Sequence, residues 1–303
     1  MSLAPRTTDS NPASGADADA GAQAQARISG LYIYPVKSCA GVSLLEAELT
    51  DAGLDLDRAW MVVDAAGEFV TQRELPRMAL IQVSLRGGEV VLRAPGMLTL
   101  HLGIDRVESP TRVRIWDDEV PAYDMGAVAA QWFTDFLGQP LRLTRFDPEH
   151  QRLSSMKWTG GVEAPNQFSD GFPLLVLSQA SLDGLNQRLQ VAGQAPVTLA
   201  HFRPNIVLDG LAAHDEDSLG LISIAADLPV QLQAVKPCTR CDIPGIDPAT
   251  GLSNPAVGDA LQAYRSLPAM GGAVCFGMNA IVRAGDGARL RLGQSVVGDW
   301  RFD

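Results

Sequence analysis

Short apolar runs, each cut off by glycine or proline before it can become a helix, dominate this chain and constrain its fold most. The clearest is "IQVSLRGGEVVLRA" (81–94), where alternating residues flank Gly87-Gly88, the pattern of a two-residue β-hairpin. Leu31–Tyr34 ends at Pro35, and Trp60–Val63 follows Arg58. Val113–Trp116, "FRPNIVLDG", "LPVQLQAVKPC", "AVCFGMNAIVRAG" and "RLRLGQSVV" supply further strands. Helical periodicity is convincing in only three places. "GAVAAQWFTDFLG" puts Val128, Trp132, Phe133 and Phe136 on one face and ends at Gly138. "PLLVLSQASLDGLNQRL" reads as a buried strand leading into a helix capped by Ser178, and "NPAVGDALQAYRSL" as the third helix. Gln151 to Gln167 reads as a polar loop at a domain junction. No βαβ alternation or internal repeat is visible, so the predicted class is a mixed, β-dominated (α+β) fold with a barrel-like architecture.

Composition limits the partners. The 303 residues include 46% hydrophobic ones, enough for a large core, and carry a formal charge of −11. That charge argues against nucleic acid and against anionic membranes as non-specific partners. There is no run of about 18 apolar residues to span a bilayer. Four cysteines and no secretion signal predict reduced thiols and a cytoplasmic setting. Residues 1–27 are poor in apolar side chains and predict a disordered tail.

Chemistry concentrates in "AVKPCTRCDIPGIDPATG" (234–251). The pair Cys238 and Cys241 could be half a zinc site, a redox dithiol or two ordinary thiols. Neither a second C-x-x-C pair nor a spaced histidine pair accompanies it, against the four ligands of a structural zinc. The turn residues that follow differ from the helix start of a thioredoxin-like motif. Lys236 and Arg240 favour a thiolate, and Asp247-Pro248 with Gly251 stiffens the loop, so one sulfur could bind a metal whose other ligands come from an organic cofactor. Lys37 and Ser38 in "YPVKSC", Arg58 in "DRAW" and Arg203 in "HFRPN" add cations that together could line an anion site.

"LYIYPVKSCAGV", "DRAWMVVD…FVTQRELPRMALI", "FRPNIVL", "CTRCDIPGIDPATG" and "CFGMNAIV", in this order, resemble the MOSC (molybdenum cofactor sulfurase C-terminal) proteins. Within them the chain is similar to members with an N-terminal β-barrel domain, the mitochondrial amidoxime reducing components and their bacterial counterparts. The resemblance implies a MOSC β-barrel (148–303) and a MOSC N-terminal region (28–147), of which about 59–145 forms a satellite α/β insertion. It implies molybdenum held by molybdopterin, with Cys241 as the protein ligand and catalytic residue. Lys37, Ser38, Arg58 and Arg203 would contact the pterin or its phosphate. Thr239, Arg240 and Asn279 would line the same pocket, and Gly171 and Phe172 would touch the cofactor through their backbone. Asp247 is read as catalytic, bracing the loop or relaying protons, or as an aspartate accepting turn N–H groups. Cys238 is read as structural or as a neighbour of the ligand.

The implied activity is reduction of N-hydroxylated compounds (amidoximes, hydroxylamines, N-hydroxylated nucleobases) by oxygen transfer to molybdenum. Electrons would come from separate ferredoxin-, flavin- or haem-type proteins, since no ferredoxin domain is recognised in the chain. The alternatives are sulfur transfer through a cysteine persulfide, or a carrier that binds the cofactor without turnover. No cysteine desulfurase domain is recognised, so no pyridoxal phosphate is expected.

Overall fold

The computed structural model describes residues 23–301, and the expected tail over residues 1–22 lies outside them. Order begins earlier than predicted. Ala24–Ile33 is one continuous strand, because Ala24–Arg27 pair with Ser295–Gly298 and so belong to the sheet rather than to the tail.

Seven strands close a barrel. In order around it come Leu174–Ser178, Ile206–Asp209, Ala24–Ile33, Ser295–Trp300, Leu219–Ala225, Pro229–Thr239 and Ala273–Ala284, and the last pairs back onto the first. Leu31, Ile33, Ile206, Leu208, Leu232 and Met278 fill its interior. One junction is parallel: Val176 pairs with Ile206, and the helix Gln179–Val191 lies in the connection between their strands, which makes a βαβ unit where none was expected. Leu182, Leu185 and Leu189 pack this helix on Phe276 and Val257 outside the barrel. Leu174–Ser178, covered on both faces, is therefore apolar throughout rather than alternating. Ser178 caps the helix as predicted, its side chain accepting from the Ser181 N–H.

Between Trp60 and Phe146 the chain builds antiparallel sheets of its own. Trp60–Val63, Arg142–Phe146, Asp118–Asp124 and Ser109–Ile115 form one, and Gln82–Arg86, Glu89–Arg93 and Leu100–Gly103 form another. The hairpin turn at Gly87 and Gly88 has φ of 57° and 79°, conformations glycine adopts without strain. The helix Ala127–Leu137 packs on these sheets and ends at Gly138 in the left-handed region. Its buried face is Ala129, Trp132, Phe133 and Phe136; Val128, placed on that face by periodicity, is 74% exposed. Two small buried residues, Ala129 and Ala130, let the helix approach closely and rotate the buried stripe away from Val128.

The segment 151–167, read as a loop, is partly regular. Arg152–Leu153 pairs with Pro165–Asn166, and Met156–Thr159 makes one helical turn. Its polar residues are spent internally: Arg152 donates to Asn166 Oδ1 (2.6 Å), Gln167 O (2.9 Å) and Ser169 O (2.7 Å). Composition shows polarity but not where the hydrogen bonds go.

Truncating Phe133 to Ala should cost about 3–5 kcal/mol of stability. Val128→Ala should stay within about 0.5 kcal/mol. Urea midpoints of the two variants check the helix orientation.

Candidate functional site

One cavity collects nearly every residue singled out above. Lys37, Ser38, Arg58, Gly171, Phe172 and Arg203 line it, together with Thr239, Arg240, Cys241 and Asn279. They come from segments far apart in sequence, brought together where the barrel meets the Trp60–Phe146 sheets. After the barrel strand ending at Ile33, the chain turns through Tyr34–Cys39 and is clipped to the neighbouring sheet. Lys37 N donates to Trp60 O (2.8 Å), and Trp60 N to Pro35 O (2.9 Å). Arg58 N returns a bond to Tyr34 O (3.0 Å).

Tyr34 is the hub of the cation cluster. The Arg58 and Arg203 guanidinium carbons lie 4.4 and 4.2 Å from the centre of its buried ring. Its hydroxyl donates to Pro204 O (3.1 Å), and burial raises its pKa well above the ordinary phenol value. Asp57 accepts from Tyr34 N (2.8 Å) and pairs with Arg58, which also reaches Asn205 Oδ1 (3.0 Å) and Arg203 O (3.1 Å). The ring in turn lies against Gly41, where an added Cβ would come within 2.5 Å of it.

Ser38, Arg58 and Arg203 all have positive φ (67°, 50° and 59°). Such conformations cost about 1–3 kcal/mol each outside glycine and gather where side chains must be aimed.

Charge in the cavity is unbalanced. Lys37, Arg58, Arg73, Arg203 and Arg240 line it, against the single carboxylate Asp170. Lys37 donates to Asp170 Oδ1 (2.6 Å) and Phe168 O (2.9 Å), and burial lowers its pKa. Burial raises the Asp170 pKa, but Lys37 more than offsets this and holds it at about 2. Arg203 has no carboxylate: it donates to Cys39 O (2.7 Å), and burial, then Arg58, lowers its pKa to about 10. Arg240 spends its donors on Phe276 O (2.9 and 2.7 Å) and Phe202 O (3.1 Å). A partly buried cation with no paired carboxylate among the described residues would be stabilised by an anion in this cavity.

The cysteines sit at the end of the long strand Pro229–Thr239, whose partner Ala273–Ala284 also carries Asn279. Cys241 is exposed and Cys238 half-buried, neither is in a disulfide, and both line the cavity. Burial raises the Cys238 pKa. Of the two readings of Cys238, structural thiol or neighbour of the ligand, its place on the cavity wall fits the second. Among the described residues no three His, Cys, Asp or Glu side chains come together to hold a metal. A metal at Cys241 would draw its other donors from a bound molecule, which suits the cation lining.

Asp247 is not brought to this cavity. Its carboxylate accepts from Ala249 N (2.8 Å) and Thr250 Oγ1 (2.9 Å), while its carbonyl accepts from Gly251 N (2.8 Å). These bonds brace the loop, one of the roles expected of Asp247, and place its carboxylate in the turn rather than on the cavity wall. Lys236 likewise stands outside, its Nζ 5.1 Å from the Trp158 ring centre. Arg73 and Asn205 were missed as site residues although they lie inside quoted motifs ("TQREL", "FRPN"), as was Asp170, which directly precedes Gly171. Nothing in a lone Asp or Arg shows that it faces a cavity rather than solvent.

Fold and site define a barrel protein with a basic pocket beside an accessible thiol, and the comparisons give the same class a name. Residues 25–140 match the MOSC N-terminal beta barrel domain and residues 163–297 the MOSC domain. The chain belongs to the MOSC family. It is 37% identical over 248 residues to mitochondrial amidoxime-reducing component 1 of Mus musculus, covering 78% of this chain and 71% of that one. The Homo sapiens protein of the same name is 37% identical over 252 residues, covering 78% and 72%. The Homo sapiens molybdenum cofactor sulfurase is 29% identical over 256 residues, covering 78% of this chain but 28% of its own length.

Gly41→Ala should destabilise the protein by about 1–3 kcal/mol, because the rigid Tyr34 ring must move. It should also weaken binding of inorganic phosphate, read by calorimetry. The Asp170 carboxylate, lowered from about 3.9 to about 2, stabilises the fold above about pH 4. That contribution is lost as pH falls toward 2, so Asp170→Asn should flatten the acid limb of urea midpoints measured from pH 2 to 5.

Proposed function

We propose that this protein is a molybdenum-cofactor-dependent reductase of N-hydroxylated compounds: amidoximes, hydroxylamines and N-hydroxylated nucleobases. The observation that carries the reading is the unbalanced basic cavity of an acidic protein opening on one accessible thiol, Cys241. The amidoxime-reducing names of its relatives support the same chemistry.

In this reading Cys241 holds molybdenum as a thiolate. Lys37, Ser38, Arg58 and Arg203 would hold the pterin or its phosphate, and Thr239, Arg240 and Asn279 would line the cofactor beside them. Gly171 and Phe172, which line the same cavity, would touch the pterin through their backbone. When bound, the molybdenum cofactor supplies a two-electron centre that accepts oxygen from the substrate. The protein's own part is positional. Carbonyl-anchored Arg240 fixes the start of the loop that carries Cys241, and the left-handed backbones of Arg58 and Arg203 aim their cations before any ligand arrives. The Asp247 turn keeps the thiol at the cavity wall. Electrons come from separate carrier proteins.

Protein purified from a molybdopterin-competent host should contain molybdenum and reduce benzamidoxime and 6-hydroxylaminopurine with reduced methyl viologen. Cys241→Ala should lose both the metal and the activity, whereas Cys238→Ala should stay folded and metal-loaded. Equal loss in the two variants would remove the assignment of roles. Bound molybdenum without turnover would favour a carrier, and persulfide on Cys241 without molybdenum would favour sulfur transfer.

A further inference from the structure

Cys241 borders two hollows, not one. Besides the basic cavity, a second groove shares Arg73, Arg240, Cys241 and Pro244 with it. The loop around Asp242 and Asn254 forms part of its wall, and the helix Ala256–Arg265 contributes Asp259 and Gln262. The groove adds no cation beyond the two shared arginines, and it brings two carboxylates instead. Neither carboxylate has an ion pair among the described residues, and Asp242 caps no backbone N–H. A thiol thus stands between a basic hollow, suited to an anionic group, and a groove in which two aspartates balance the two shared arginines.

This asymmetry matches a charge change in the proposed reaction. An amidoxime is a weak base and neutral in water near pH 7; the amidine it becomes is a strong base and protonated. The N–O bond breaks, two electrons from the separate donor and three protons are taken up, and amidinium and water result. Carboxylates beside the reacting nitrogen therefore gain attraction as positive charge develops, which lowers the barrier rather than only tightening binding. A planar amidinium also presents paired N–H donors to a carboxylate, as arginine does.

Resting on that functional reading, we propose that this groove is the substrate site and that Asp242 and Asp259 recognise the amidinium, favouring N-hydroxyamidines and N-hydroxyguanidines. Substrates whose products are neutral, such as N-hydroxylated nucleobases, gain nothing from them. The test uses the molybdenum-loaded protein and its Asp242→Asn/Asp259→Asn double variant, both side chains being exposed and free of ion pairs.

With reduced methyl viologen as donor, the ratio of kcat/KM for benzamidoxime to that for 6-hydroxylaminopurine should fall roughly tenfold in the variant, the scale of two solvent-accessible charge contacts. Molybdenum content should match the parent. Calorimetry should show benzamidine, the amidine product, binding the parent and losing a similar factor in the variant. An unchanged ratio, or benzamidine binding that ignores both aspartates, overturns the proposal. If neither substrate turns over yet benzamidine binding still depends on Asp242 and Asp259, the groove stands and the reductase reading falls.

Discussion

Two guanidinium groups packed on one buried phenol ring set the terms for the rest of this structure. Like charges this close repel, and in a buried site the repulsion is poorly screened. The protein holds them by giving Arg58 a carboxylate in Asp57 and both arginines the face of Tyr34, while leaving Arg203 without a counter-ion. The ring is fixed by its bond to Pro204 and by contact with Gly41, so the cations cannot relax apart. What remains is an electrostatic demand for an anion, built before any ligand binds.

The architecture answers that demand by drawing on both of its parts. The barrel contributes Arg203, Arg240, Asn279 and the thiol-bearing loop, and the turn between barrel and satellite sheets contributes Lys37 and Ser38. Backbone bonds of Lys37 and Trp60 clip the two parts together at that turn. Three left-handed residues at the cavity mark where the fold spends stability to aim side chains. Their cost is met by the large barrel core, in which Leu31, Leu208 and Leu232 are fully buried.

Local chemistry was legible where a single element decides it. The Gly87-Gly88 hairpin, the Ser178 cap and the Gly138 stop each follow from a few neighbouring residues, and each is present. Val128 shows the limit: periodicity placed Trp132, Phe133 and Phe136 correctly, but packing against the sheets buried Ala129 in place of Val128. The polar run 151–167 shows another. Its residues look solvated one by one, yet Arg152 gathers four acceptors from distant positions and orders the segment.

The site divides the same way. Residue type alone pointed to the cations Lys37, Arg58, Arg203 and Arg240 and to a stiff thiol loop, because those features are carried by the chain as chemistry, while the choice of Cys241 over Cys238 came from the family resemblance. Only the tertiary structure could decide that Asp247 serves its own turn, that Cys238 faces the cavity, and that Asp170 and Arg73 belong to it. The reason is physical. A side chain's type sets what it can bind, but its neighbours set what it does bind, and these neighbours are brought together only when the barrel closes.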